Sequence, residues 1–134
     1  MKQNIISYIL TLIIFLVIDA VWLGFVATDF YFSQLGDLMT DNVRYGVALA
    51  FYCLYCVGVM IFAVKPALDK KEWKHAALYG ALFGLFCYAT YDLTNVATIR
   101  DWPVMMSMVD IVWGTWLTGT TATLGYFASR KVLG

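Results

Sequence analysis

Four runs of predominantly apolar residues, about 4–27, 44–64, 74–97 and 103–127, leave this chain few ways to fold. Each is close to the ~20 residues that an α-helix needs to cross ~30 Å of hydrocarbon. Lipid offers the backbone amides no hydrogen-bond partner, and the runs are too long for barrel strands, so they are expected to cross as helices. Only 13% of residues are charged and the mean hydropathy is +0.75, whereas about a quarter of a soluble domain is charged. The expected fold is all-α: a polytopic membrane protein with four transmembrane helices in an antiparallel bundle, forming one domain over residues 1–134.

The first run exceeds the usual signal-peptide core, lacks a small-residue cleavage site and carries Asp19, so it is read as a retained helix. Lys2, Lys65, Lys70, Lys71, Lys74, Arg130 and Lys131 belong to the termini and the second loop, and only Arg44 and Arg100 to the first and third. The positive-inside rule then places both termini and the second loop in the cytoplasm. Net charge is zero. Nucleic-acid binding is not expected, and the basic second loop is read as a topology signal with at most a weak contact to anionic lipid headgroups. The first loop, Thr28 to Val43, starts with Phe30, Tyr31 and Phe32, as a segment at the outer interface does. Pro66 is expected to close the second helix and Pro103 to open the fourth.

Three aspartates, Asp19, Asp92 and Asp110, lie inside these runs. A carboxylate at membrane depth costs roughly 2.5–3.5 kcal/mol on insertion scales, so each requires a partner, a proton or water. Counted from the helix ends at 1.5 Å per residue, all three fall roughly 8–12 Å below the outer surface, where they are expected to share a pocket. Tyr88, Asp92 and Asn95 occupy one helix face, Asp19 shares a face with Trp22, and Asp110 shares one with Trp113. A carboxylate beside aromatic rings encloses an amine or a sugar-like group, so the expected ligand-binding set is Asp19, Asp92, Asp110, Trp22, Tyr88, Asn95 and Trp113. Like charges in an apolar site oppose one another's ionisation, and at least one of the three is expected to hold a proton at neutral pH. The plainer reading is interhelical glue, each Asp meeting a Tyr, Thr or Trp donor or an arginine at the rim.

Other chemistries find little support. Cys53 and Cys56 have CxxC spacing but lie within a span with no second pair to relay electrons. The only histidine, His75, sits among lysines at the inner mouth. With no intramembrane histidine, a zinc or iron site is not expected; aspartate oxygens alone would favour Mg²⁺ or Ca²⁺, and no resident metal or cofactor is expected. Small residues at four-residue spacing, Ala76, Gly80 and Gly84 and then Thr118 and Ala122, allow close helix approach. Asp19-x-x-Trp22 and Asp110-x-x-Trp113 resemble each other, but they pair helices one and four rather than following a duplicated two-helix unit.

On Asp19-Ala-Val-Trp22, Tyr91-Asp92-Leu93-Thr94-Asn95 and Asp110-Ile-Val-Trp113-Gly114, the whole chain resembles a small bacterial inner-membrane family known only as a domain of unknown function (DUF2177-like). The resemblance implies a four-helix fold and carries no activity. The leading expectation is binding or transport of a small cationic or polar molecule or a lipid headgroup, with a homodimer where alternating access requires one. The alternatives are an accessory membrane subunit and a lipid-modifying enzyme using paired carboxylates.

Overall fold

The computed structural model describes all 134 residues, of which 88% are helical, with no strand. Five helices follow in order: α1 Lys2–Val26, α2 Thr28–Leu35, α3 Tyr45–Lys70, α4 Trp73–Thr98 and α5 Val104–Leu133. Three of them, α1, α3 and α4, are long and apolar enough to cross a membrane. Helix α5 is the longest at 30 residues, but Asp110, two tryptophans and threonines 115, 118, 120, 121 and 123 dilute its apolar character.

Burial shows an inverted pattern. Along α1 the inward face reads Ser7, Thr11, Phe15 and Asp19, at four-residue spacing, while Ile5, Ile9, Ile13 and Val17 stand exposed. Buried Thr118, Thr121 and Ser129 repeat this on α5. Water would drive the isoleucines inward; a lipid surround leaves them outside and gathers small and polar side chains between helices.

The tightest seam joins α4 to α5. A Cβ on Gly84 would run into the Gly114 carbonyl and Thr118, one on Gly80 would meet Ala122, and one on Gly114 would enter the Tyr88 ring. Gly125 receives Thr11 in the same way and joins α1 to α5. A cluster of Phe15, Tyr55, Cys56, Val59, Leu117 and Ala122 fills the centre.

Pro66 does not close the second helix. A π turn over Met60–Val64 precedes it, and the helix continues through Lys65–Lys70. Widening the turn before a proline relieves the clash between its ring and the carbonyl one turn back. The chain stops only at Lys71, in the left-handed region at φ +56°. Pro103 stands one position outside α5, as its N-cap residue. The first connection also departs from a simple loop: a π turn, Trp22–Val26, hands the chain to α2, with Thr28 Oγ1 donating to the Leu23 carbonyl.

Helix α3 packs on α4 through Met60–Val64, whereas its N-terminal part, Tyr45–Val59, makes little backbone approach to α4. The two helices therefore diverge toward the end that carries the aspartates, with Tyr55 and Phe83 meeting across the gap at 5.2 Å between ring centroids.

Crowding at the α4–α5 seam predicts that Gly84→Ala lowers stability by about 1–3 kcal/mol. Gly46→Ala, with nothing within 4 Å, should stay within about 0.5 kcal/mol of the parent. Denaturant unfolding in detergent micelles measures both.

Candidate functional site

Helix ends do not fix the relative offset of neighbouring helices, and the structure separates the aspartates into two levels. Thr11 lies against Gly125, and the Trp22 and Trp113 rings stack at 4.1 Å with 10° between their planes. In this register Asp19 lies between one and two helical turns, ~5–10 Å, deeper than Asp110. The single depth expected from counting residues does not hold, because α5 begins further out than α1 ends. The three aspartates accordingly do not form a metal-holding group.

The deeper level is a joint between three helices. Asp19, 6% exposed, accepts from Tyr52 of α3 at 2.6 Å on one oxygen and from the Trp113 indole of α5 at 3.4 Å on the other. The stacked tryptophans serve the aspartates crosswise. Trp113, one turn along from Asp110, reaches Asp19. Trp22, one turn along from Asp19, donates at 3.0 Å to the Tyr31 hydroxyl, which donates at 2.9 Å to Asp110. The matching Asp-x-x-Trp spacings thus produce two interlocked hydrogen-bond chains. Burial, with the Asp110 carboxylate alongside, pushes the Tyr31 phenol above its ordinary value, so Tyr31 remains a donor across the accessible pH range.

The second level, nearer the α2 end of the bundle, holds Asp92 and Asp110. Asp92 is fully buried on α4, and neither of its oxygens has a donor. The acidic group that acts on it is the Asp110 carboxyl of α5. Two carboxylates cannot hydrogen-bond each other without a proton between them. Arg44 and Arg100 give no relief, since the chain's one ion pair is Lys65–Asp69 at the far end.

Asp110 also lines a cavity of about 460 Å³ in the α3–α4 cleft, walled by Phe51, Tyr55, Cys87, Tyr88 and Tyr91. Tyr88 is placed there because Gly114 leaves room for its ring. Phe51 and Tyr91 form an exposed rim, so the cleft opens sideways from the bundle. Such a site offers one acidic oxygen and several ring faces, a combination that receives cations.

The structure thus brings Asp92, Asp110 and Tyr88 together, and places Asp19, Trp22 and Trp113 in the adjoining joint. Asn95, half-buried one turn beyond Asp92, hydrogen-bonds none of the three carboxylates. Tyr31 and Tyr52 escape sequence reasoning; with nine tyrosines in the chain, nothing in their spacing to an aspartate marks them. Cys56 is sealed in the core beside half-buried Cys53, and both thiols are free. His75 stacks on Tyr79 at 4.1 Å.

Removing a donor from a buried carboxylate costs about 1–3 kcal/mol. Tyr52→Phe should destabilise the protein by that amount in detergent unfolding, with Tyr45→Phe, at an exposed position, as the neutral control.

No curated protein and no solved structure matches the chain. The family model described as "Predicted membrane protein (DUF2177)" matches residues 4–127. Nearly the whole chain is covered, including all three aspartates and both stacked tryptophans. The chain belongs to this family of predicted membrane proteins, DUF2177.

Proposed function

We propose that the chain is a single-domain, four-span protein of the bacterial inner membrane, with both termini cytoplasmic, that binds an organic cation in the α3–α4 cleft. The cation is an amine or ammonium group on a small molecule or a lipid headgroup. Helix α5 supplies the fourth span: its 30 residues extend ~45 Å, and it lies along both α1 and α4. The basic residues grouped at the ends opposite the aspartates support the orientation.

One observation carries the functional reading. A fully buried carboxyl without a donor, Asp92, faces a second carboxyl, Asp110, at an aromatic-walled cavity. Packing alone gains nothing from that arrangement, because an unpartnered buried polar group is a cost. In the empty protein the pair holds one proton between its carboxyls. A cation entering past Phe51 and Tyr91 meets Asp110, takes the place of that proton, and lies against the faces of Tyr55 and Tyr88. The proton leaves to solvent. Proton and cation then compete for one site, which is the coupling a proton-linked transporter uses. Transport by so small a chain requires a second copy for the site to move against.

Asp19 supports a different role. With donors from α3 and α5 on its two oxygens, it acts as interhelical glue, as in the accessory-subunit reading. That reading has this specific observation in its favour and applies to the deeper level alone.

Calorimetry of the purified protein with benzyltrimethylammonium tests the proposal. Binding should weaken as pH falls, by up to tenfold per unit, since each cation bound displaces a proton. Asp110→Asn should weaken it at least tenfold, and Asp92→Asn should remove the pH dependence. Asp19→Asn should lower stability while leaving the cation affinity within a few fold. Unchanged binding in both Asp92→Asn and Asp110→Asn overturns the reading.

A further inference from the structure

The end of the bundle opposite the aspartates carries a second, unrelated site. A pocket of about 270 Å³ lies where the start of α1 and the ends of α3 and α5 meet. Its walls are mostly polar, including Asn4, Ser7, Lys65, Lys71, Ser129 and Arg130. Three of these are cationic. The one acidic side chain in the lining, Asp69, is held by Lys65 at 3.2 Å. Lys71 and Arg130 have no ion-pair partner. Arg130 gives one N–H to the Tyr126 hydroxyl at 3.0 Å and lies over that ring, which orients the guanidinium and leaves its other donors free.

The second observation is independent of charge. Ser7 and Ser129 both line this pocket at 1% and 0% exposure, and neither hydroxyl has a hydrogen-bond partner. Two orphaned hydroxyls on residues that line one pocket are an uncompensated cost unless an acceptor reaches them. Ser7, Ser129, Lys71 and Arg130 bring donors without a carboxylate partner to the lining of a pocket with a surplus of basic side chains. A multi-oxygen anion satisfies all of these groups together, as no cation or apolar molecule does.

We infer that this pocket binds a phosphate group. The chemistry is shared by two sources: the headgroup phosphate of an anionic phospholipid, and a free phosphate compound. A basic pocket among helices at the headgroup level is placed to receive the first. Lys71, which follows α3 at φ +56°, and Arg130, anchored on Tyr126, both line the pocket and hold the phosphate. The buried serines fix its depth.

Thermal unfolding in lipid nanodiscs tests the inference and separates the sources. The discs contain either phosphatidylcholine alone or equal parts phosphatidylcholine and phosphatidylglycerol, the former with and without inorganic phosphate at constant ionic strength. Stabilisation by phosphatidylglycerol supports a lipid source; stabilisation by inorganic phosphate alone supports a free one. In either case Lys71→Gln and Arg130→Gln should each weaken apparent affinity about fivefold. Ser129→Ala should weaken it without any change in charge, and Lys71→Arg should retain it. Lys70→Gln, one residue away and outside the lining, should leave it intact. The inference is overturned when neither phosphate source stabilises the protein. It is equally overturned when Lys70→Gln costs as much as Lys71→Gln, because the attraction then belongs to a diffuse basic surface.

Discussion

The close approach of α4 and α5 at Gly84 and Gly114 determines what this molecule can do. With no side chain at either position, the Gly114 carbonyl nests where a Cβ of Gly84 would stand, and the Tyr88 ring covers Gly114. One turn further out on α4 comes Asp92, carried by the same register to face Asp110. A methyl group at the seam would meet backbone or ring atoms and force the helices to shift. In lipid no hydrophobic drive holds helices together, so contact between backbones and hydrogen bonds between side chains have to do so. The seam provides the first, and the crossed Trp22–Tyr31–Asp110 and Trp113–Asp19–Tyr52 chains provide the second.

These two devices divide the aspartates by role. Asp19 is met on both oxygens by donors from other helices and ties α1 to α3 and α5. Asp110 has one donor, Tyr31, on one oxygen and turns its carboxyl both to Asp92 and to the cleft. Asp92 has none. The gradient from satisfied to unsatisfied runs from the deeper level to the second, toward the divergence of α3 from α4. The capped carboxylate ties helices together, and the uncapped one is where the proposed cation site lies.

Much of this was legible in the sequence, for identifiable reasons. Long apolar runs dictate helices because lipid forbids unpaired backbone, and the positions of Asp19, Asp92 and Asp110 within them are simple counting. That Trp22 and Trp113 share faces with aspartates follows from helical spacing, although the spacing does not reveal that each tryptophan serves the other helix's aspartate. Axial offset between helices is set by side-chain volumes at the seams, so the two levels could not be counted from helix ends. Between aromatic neighbours Phe30 and Phe32, Tyr31 has the sequence signature of an interfacial residue, and only the fold of α2 carries its hydroxyl to Asp110. Pro66 misled because a proline stops a regular α-helix, whereas a π turn lets the helix continue.

The proposed proton shared by Asp92 and Asp110 is read directly by infrared difference spectroscopy of the protein in lipid at neutral pH. The predicted spectrum contains the carbonyl stretch of a protonated carboxylic acid that shifts in heavy water. That band should disappear in Asp92→Asn and in Asp110→Asn, and persist in Asp19→Asn. A spectrum with every intramembrane carboxyl ionised, or a band that survives in both variants of the pair and vanishes in Asp19→Asn, contradicts the account.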